Sequence, residues 1–382
     1  MAFRLPRYSE LTDSQRTIIN LPLNKNHVVT GAPGTGKSVI AIYRASDMCN
    51  AGFDVLMLVY NRPLMSYISS AVESLDIDAE VNTWQSWISS FYREEFGCGY
   101  PQIEGPYTYD WDEIKQDFSR VGVRYDHVII DEAQDVPIEL IESLRIISKG
   151  VSCFMDENQT ISSIYSNFQD VVDVLGVRTA YKLYQNFRNT REIFDFAKLY
   201  GPDENIDIVR PSGHGKPEMS KCSNYGHSNA TQLTSKMVKY IRKIRQAGYE
   251  NIGVFVNAKS LARTYSELTE CLDRASDPEV FMYKTMNRDF RTIDFDEDGV
   301  YVLSFNTMKG LEFDWVLIPR CECIKSNDNA TLDRNTFYVA TTRAKEQLVC
   351  FYFDERSSSK YIDVFGPISG HKNVLAWKGL AE

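Results

Sequence analysis

The sequence predicts an α/β protein whose buried strands alternate with helices and pair in parallel sheets. Short apolar runs bounded by polar residues recur along the chain, for example at 53–60, 127–130, 151–155 and 347–351, and such runs are typical of strands covered on both faces. A glycine-rich loop lies between another apolar run, 27–30, and a segment with helical spacing. The chain has 382 residues, which is enough for two domains that each bury a core.

The composition, with 43% hydrophobic and 25% charged residues, is that of a globular protein rather than a disordered one. No apolar run is long enough to span a bilayer and the first residues carry no signal-peptide core, so we expect a cytoplasmic protein without a membrane partner. The net charge of −10 argues against a protein that coats nucleic acid with its whole surface, but it leaves room for a local basic groove. The most basic stretch, 236–245, has apolar residues at helical spacing, and we interpret it as the solvated face of an outer helix.

The glycine-rich loop fits the phosphate-binding pattern G-x-x-x-x-G-K-[ST], and the flanking strand and helix are the context that this pattern needs. Its glycines let backbone N–H groups turn toward a phosphate at the positive end of the helix dipole. The lysine would reach the β- and γ-phosphates of a nucleotide, and the serine would bind Mg²⁺. The loop consists of Gly31, Ala32, Pro33, Gly34, Thr35, Gly36, Lys37 and Ser38.

Two carboxylates follow the apolar run 127–130. Acidic residues at the end of a buried strand suit a nucleotide hydrolase, in which Asp131 would hold Mg²⁺ and Glu132 would orient and deprotonate the attacking water. Before the loop, residues 11–16 are typical of an N-capped helix start, with Gln15 in its first turn. Its amide could read adenine, although a capping segment explains the same residues.

Polar and aromatic residues follow two other predicted strands, at the edge of the sheet where ligands bind in α/β proteins. Tyr60 and Asn61 end one of them, and Thr83 and Trp84 lie in the next extended piece. Aromatic rings at this edge could stack on nucleobases at roughly 1–3 kcal/mol each. Packing of Trp84 and Trp87 in the core is equally compatible with the sequence.

Six segments, in order along the chain, resemble the motifs of the superfamily 1 helicases of the UvrD/Rep type. The glycine-rich loop is similar to motif I, and IIDEAQD at 129–135 is similar to motif II. The other four are MDENQTI at 155–161 for motif III, LYQNFRNT at 183–190 for motif IV, SFNTMKGLEF at 304–313 for motif V and YVATTRA at 338–344 for motif VI. Motifs I and II alone indicate a P-loop NTPase, whereas motifs IV to VI are specific to the family.

The resemblance implies two RecA-like domains, with ATP and Mg²⁺ bound in the cleft between them. Gln15 would read adenine with Phe187 stacked on the base, and Gln159 would couple the γ-phosphate to the nucleic-acid track. Arg188 and Arg343 would be arginine fingers, and Glu312 would contact the ribose. The resemblance and the strand ends together give a set of candidate nucleic-acid contacts. These are Tyr60, Asn61, Thr83, Trp84, Tyr165 and Asn306.

Some positions depart from the family pattern. The stacking region after motif III reads Ser162, Ser163, Ile164 and Tyr165, so only Tyr165 can replace the usual aromatic residues. Val39 stands where an arginine often follows motif I, and Asn306 stands where histidine is usual in motif V. These changes concern how bases are gripped rather than how ATP is hydrolysed.

We expect a first domain at 1–176 and a second at 177–382 with a C-terminal tail. The intervals between Trp87 and Asp131 and between Arg188 and Val302 are too short for the large accessory domains inserted there in relatives. The leading hypothesis is an ATP-dependent translocase or helicase on single-stranded DNA that moves 3′ to 5′. One alternative is an ATPase subunit that controls a protein partner, such as a nuclease in a bacterial DNA repair or phage-defence complex. Another is a superfamily 1 helicase that acts on RNA.

Overall fold

The computed structural model describes residues 5–103, 105, 108–156, 166–201, 205–213, 215–222, 229–273, 276–282, 297–323, 330–353 and 374–378. Gln159 and Tyr165 lie outside these ranges. The chain divides into a first unit, Arg4–Tyr184, and a second unit, Gln185–Glu382 with Met1–Phe3.

The first unit alternates strands and helices. Its elements are α1 (Asp13–Ile19), β1 (His27–Gly31), α2 (Lys37–Asn50), β2 (Val55–Val59), α3 (Arg62–Ser74), β3 (Glu80–Thr83), α4 (Trp84–Phe96), α5 (Trp111–Val121), β4 (His127–Asp131), α6 (Ile138–Ile147), β5 (Val151–Met155), α7 (Phe168–Leu175) and β6 (Tyr181–Leu183).

The six strands form one parallel sheet in the order β3-β2-β4-β5-β1-β6. Neighbouring side chains on a strand point to opposite faces, so Val28 packs in a core with helices α4 to α7, and Val29 packs in a core with α1 to α3. Both faces are thus covered. Because all strands run the same way, the loops after β1, β2, β3 and β4 meet at one edge of the sheet.

The second unit is also α/β. Its elements are β7 (Gln185–Asn186), α8 (Arg191–Ala197), β8 (Asp207–Ile208), β9 (Glu218–Cys222), α9 (Asn229–Gln246), β10 (Asn251–Val256), α10 (Leu261–Cys271), β11 (Val280–Met282), β12 (Gly299–Ser304), β13 (Phe313–Ile318), α11 (Ala330–Thr341), β14 (Ala344–Phe353) and β15 (Ala376–Lys378).

Seven strands of this unit form a parallel sheet in the order β11-β12-β10-β13-β14-β9-β15, and β7 pairs with β8 in a small parallel sheet. Helices α9 and α10 pack on one face through a core that includes Ile241, Leu268 and Val302. The predicted fold class, α/β with parallel sheets, is confirmed in both units. The basic stretch is the outer part of α9, where Arg242 pairs with Asp277, so the interpretation as a solvated helix face is confirmed as well.

The second domain was expected to begin at residue 177, whereas β6 lies in the first sheet, where it pairs with β1, and the first unit extends to Tyr184. Trp84 was expected in an extended piece, but Thr83 ends β3 and caps α4, which begins at Trp84. Among the described residues, no helix is both long and apolar enough to cross a membrane.

Candidate functional site

The glycine-rich loop joins β1 to α2 at the carboxyl edge of the first sheet. Gly34 and Gly36 have φ angles of +75° and +87°, in the left-handed region that glycine adopts without strain. Gly31 lies where the chain is crowded, because a Cβ atom there would be 2.7 Å from Thr35 Oγ1 and 3.0 Å from Leu183 Cβ. These glycines are therefore required by the backbone path of the loop.

Lys37 is buried at the start of α2, and its ammonium group lies across its own loop. Nζ donates to the carbonyl of Gly31 at 2.7 Å and to that of Ala32 at 3.2 Å. The hydroxyl of Thr35 also donates to Ala32, at 2.9 Å. A buried ammonium group held by neutral carbonyls is well placed to exchange them for a phosphate, whose charge pairs with it more strongly.

Ser38 and Asp131 are 93 positions apart in the sequence and meet at the sheet edge, where Ser38 Oγ donates to Asp131 Oδ2 at 2.5 Å. The strand order explains the contact, because only β5 separates β1 from β4. Asp131 is fully buried, and burial followed by the charge of Glu132 raises its pKa, an effect that Ser38 and Lys37 offset in part.

This pair fits a magnesium ion. A hydroxyl and a carboxylate are hard oxygen ligands of the kind that Mg²⁺ prefers. Burial and the charge of Glu132 raise the pKa of Asp131, and a bound cation would favour its charged form against both. In the described part of the chain, no three His, Cys, Asp or Glu side chains are grouped so as to hold a metal. One carboxylate with a hydroxyl is nevertheless enough for an ion that takes its other ligands from phosphates and water.

Glu132 directly follows Asp131 and has a left-handed backbone, with φ at +56°. Such a conformation is uncommon outside glycine and is found often at functional sites. The side chain is buried, and its Oε2 accepts a hydrogen bond from Gln134 Nε2 at 2.5 Å.

Gln15 is buried beside the phosphate-binding loop. It completes the cap of α1, since its backbone N–H donates to Thr12 Oγ1 and its Oε1 accepts from Thr12 N at 3.0 Å. Its Nε2 donates to the carbonyl of Thr35 at 3.1 Å. The amide thus braces the loop, and the reading of adenine by Gln15 stays a prediction.

In the second unit, Glu312 joins two cations. Arg188 Nε donates to Glu312 Oε2 at 2.9 Å, and Lys345 Nζ lies 2.6 Å from Glu312 Oε1. Burial alone would raise the pKa of Glu312, but the charges of Lys345 and Arg188 outweigh burial and lower the pKa from 4.5 to about 2. Two residues predicted to act on the nucleotide, Arg188 and Glu312, therefore hold each other in this unit.

The loop that carries Phe187 and Arg188 is organised by two buried asparagines. Asn186 Oδ1 accepts the backbone N–H groups of Arg188 at 2.9 Å and Asn189 at 3.0 Å. Asn189 Nδ2 donates to the carbonyls of Thr342 and Ala344. Motif IV is thereby fixed to the end of motif VI, and Phe187 and Arg188 are left half-buried between the two asparagines.

Arg343 is buried within the second unit, with 1% of its surface exposed. Its Nε donates to the carbonyl of Val339 at 3.0 Å and its Nη1 to that of Leu311 at 3.5 Å. In this arrangement it ties the end of α11 to the residues before β13, and its role as a finger stays a prediction.

The candidate nucleic-acid contacts differ in accessibility. Asn306 is exposed in the turn after β12, and Tyr60 is half-buried after β2. Asn61 and Thr83 serve as N-caps, accepting from Leu64 N and Ser86 N. For Trp84 the structure gives a correction. Its ring is 2% exposed and packs 5.2 Å from the ring of Tyr109, so it is a core residue and not a stacking surface.

Sequence reasoning missed four residues that organise the site, namely Gln134, Asn186, Asn189 and Lys345. The first three are amide side chains inside motifs II and IV, and that position was the available signal, because a buried amide needs hydrogen-bond partners. The partner of Lys345 could not be found this way, since Glu312 is distant in the sequence.

Two models of known protein families match parts of the chain. Residues 24–193 match the family described as Schlafen group 3, DNA/RNA helicase domain, and residues 299–350 match the UvrD-like helicase C-terminal domain. The resemblance to the UvrD-like helicases is confirmed. Both matches lie on the motifs described above, the first on motifs I to IV and the second on motifs V and VI.

Two individual proteins match the chain in part. Gabija protein GajB of Bacillus cereus (strain VD045) is 30% identical over 146 residues, which are 37% of this chain and 28% of GajB. The chain thus spans little more than a quarter of that relative. The solved C-terminal domain of a possible DNA helicase from Lactobacillus plantarum WCFS1 is 17% identical, with a TM-score of 0.35, and covers 50% of this chain and 98% of its own. A helicase-type ATPase is the class of protein that the family matches support.

Proposed function

We propose that the chain hydrolyses ATP and uses the energy to move along single-stranded DNA. The observation that carries the proposal is the contact between Ser38 and Asp131, with Glu132 next to it and the buried ammonium group of Lys37 in the same loop. These are the groups that a P-loop NTPase needs at one place.

Each residue of the first unit has a role in this proposal. The loop N–H groups and Lys37 bind the phosphates, and Ser38 and Asp131 hold Mg²⁺, which when bound neutralises phosphate charge. Glu132 orients the attacking water and takes its proton. The buried position of Glu132 suits this work, because a carboxylate away from bulk water keeps a fixed orientation.

Residues of the second unit complete hydrolysis in the proposal. Arg188 is the candidate arginine finger, since its guanidinium is half-buried and held by one carboxylate that can also release it. Such fingers contribute about 10³–10⁵ in rate where they act. Arg343 is the weaker candidate, because its donors are engaged by backbone carbonyls.

Single-stranded DNA and 3′ to 5′ movement are proposed from the kinship with the UvrD-like helicases. The exposed Asn306 and the half-buried Tyr60 are the described residues best placed for contact with the strand. Because the chain is acidic overall, with a net charge of −10, we expect binding to depend on a local surface and to weaken steeply with added salt.

The decisive experiment is steady-state ATP hydrolysis with and without a single-stranded DNA oligonucleotide. Wild type, Lys37→Ala and Glu132→Gln are compared, with Glu73→Gln on the exposed face of α3 as the matched control. We expect stimulation by DNA, a loss of at least 10²-fold in both site variants and no change in the control. Hydrolysis that survives Lys37→Ala would refute the proposed site.

A second candidate function is an ATPase that controls a protein partner. The partial likeness to a Gabija protein and the short intervals inside both units favour it. This candidate would be supported if wild type hydrolyses ATP at the same rate with and without DNA and Glu132→Gln abolishes that hydrolysis. An RNA oligonucleotide of the same sequence belongs in the same assay, because preferential stimulation by RNA would point to recognition of the 2′-OH.

A further inference from the structure

Gln134 occupies the centre of the hydrogen bonds behind the catalytic carboxylates. Its side chain is fully buried two residues after Glu132. Its Nε2 donates to Glu132 Oε2 at 2.5 Å, and its Oε1 accepts from the backbone N–H of Asp156, directly after β5, at 2.9 Å. Its backbone carbonyl accepts from the N–H of Ser166 at 3.1 Å.

The two side-chain bonds fix the orientation of the amide. The backbone N–H of Asp156 can only donate, so the atom of Gln134 that faces it must be the oxygen. The amide NH₂ then has to point toward Glu132, whose carboxylate accepts. A buried hydrogen bond to a charged acceptor is among the stronger hydrogen bonds of proteins. The side chain of Gln134 therefore fixes the rotamer of Glu132.

The backbone of Glu132 explains why such support matters. With φ at +56°, the residue leaves the strand direction abruptly, and its side chain is not held by a regular sheet or helix. A general base must keep its position within a fraction of an ångström to act on a bound water. The hydrogen bond from Gln134 holds the carboxylate of Glu132 in place, and the hydrogen bond from Asp156 N holds Gln134 at the end of β5.

We propose that Gln134 is a positioning residue for ATP hydrolysis: it aims Glu132 and ties it to the end of β5 at Asp156. This inference rests on the proposed function. The side-chain hydrogen bonds of Gln134 go to Glu132 and to the backbone of Asp156, so it acts through Glu132. Any displacement of the end of β5 is transmitted to the base through one amide.

The test compares Gln134→Met, which fills a similar volume without hydrogen bonds, and Gln134→Glu, which still accepts from Asp156 N but turns a carboxylate toward Glu132. Gln169→Met, an exposed residue of α7, is the matched control. Thermal unfolding and the Kd of a fluorescent ATP analogue establish that each variant folds and binds nucleotide. The kcat and KM for ATP are then measured.

We expect both Gln134 variants to lose about 10–100-fold in kcat, with KM and the analogue Kd within about twofold of wild type. Gln134→Glu keeps a polar group of the same size, so it remains informative if Gln134→Met fails to fold. A folded Gln134→Glu variant with wild-type kcat would overturn the inference.

A double variant separates positioning from general damage. If Gln134 acts through Glu132, Gln134→Met should cause no further loss when added to Glu132→Gln, measured by single-turnover hydrolysis with enzyme in excess. Additive losses would overturn the inference. Failure of the proposed function is distinguishable, because then wild type would not hydrolyse ATP or Glu132→Gln would leave its rate unchanged.

Discussion

The two ion pairs of Glu312 allow a quantitative prediction of the stability of the second unit. Glu312→Gln keeps the size of the side chain but removes the charge that holds Arg188 and Lys345. The pKa of Glu312 is lowered from 4.5 to about 2. At about 1.4 kcal/mol per pH unit, this corresponds to a ceiling of about 3 kcal/mol of folding free energy. Because the side chain is 22% exposed, solvent reduces the effect, and we expect a destabilisation of about 2 kcal/mol at pH 7.

The sign of the pH dependence follows from the direction of the shift. The folded state binds a proton on Glu312 more weakly than the unfolded chain does, so the stabilisation is fully present above pH 4.5 and declines as the pH falls toward 2. At pH 3 about two fifths of it remains. The difference in stability between wild type and Glu312→Gln should therefore shrink from about 2 kcal/mol at pH 7 to about 1 kcal/mol at pH 3.

Urea unfolding followed by circular dichroism at several pH values from 7 to 3 measures this difference. Glu270→Gln is the matched control, because Glu270 is an exposed residue on α10 of the same unit, and we expect it to change stability by less than about 0.5 kcal/mol. A Glu312→Gln variant as stable as wild type at pH 7, or a difference that does not vary with pH, would refute the ion-pair reasoning.

Gly36→Ala would place a methyl group 2.6 Å from Gln15 Nε2 at a φ of +87°, and we expect thermal unfolding to show a loss of about 2 kcal/mol. Gly97→Ala, at a φ of +67° with no atom within 4 Å, should lose only about 1 kcal/mol, and equal losses would contradict the contact argument. Trp84→Phe removes a buried indole N–H that has no hydrogen-bond partner among the described residues, and it keeps an aromatic ring in the core. Stimulation of hydrolysis by DNA should therefore stay within about twofold of wild type, and a large loss would return Trp84 to the nucleic-acid surface. Asp131→Asn should raise the Mg²⁺ concentration for half-maximal hydrolysis by about tenfold or more in a titration, and an unchanged midpoint would remove Asp131 from the metal site.

The strands β1, β2, β4, β5 and β14 could be predicted because parallel strands are buried on both faces. A run such as Val151–Met155, with four apolar residues out of five, is fully buried, and such a run is explained by a covered strand or a short core helix. The glycine-rich loop was predictable for a different reason. Its backbone angles and close contacts require glycine, and these glycines lie within a few residues of one another, so the pattern is visible in the sequence.

The partner of a strand is a property of the whole sheet and is not encoded in the strand itself. Tyr181–Leu183 has an apolar pattern that fits either unit, and its placement beside β1 depends on contacts such as that of Leu183 with Gly31. The burial of Trp84 has a similar origin. Whether an aromatic residue at a strand end faces solvent or the core is decided by the segment that covers it, and here Tyr109 covers it.

Residues that organise the site through one another were the hardest to predict. Arg188 and Glu312 are 124 positions apart in the sequence, and each was predicted to meet the nucleotide rather than the other. The sequence shows that a side chain is charged but does not show its partner, because ion pairs form wherever the fold brings opposite charges together. The same limit applies to Gln134, whose amide could bond to many groups until β4 and β5 are placed side by side.

Two of the cations predicted to meet phosphate charge already have partners within their own unit. Lys37 donates to the carbonyls of Gly31 and Ala32, and Arg188 donates to Glu312. Nucleotide binding must therefore exchange hydrogen bonds rather than simply add them, and the net gain at each cation is the difference between two partners. The gain in free energy is large for Lys37, because it exchanges neutral carbonyls for a charged phosphate. It is small for Arg188, because it exchanges a carboxylate for a phosphate. Lys37 should accordingly contribute mainly to ground-state binding, whereas Arg188 should be drawn from Glu312 only when the charge on the reacting phosphate is greatest.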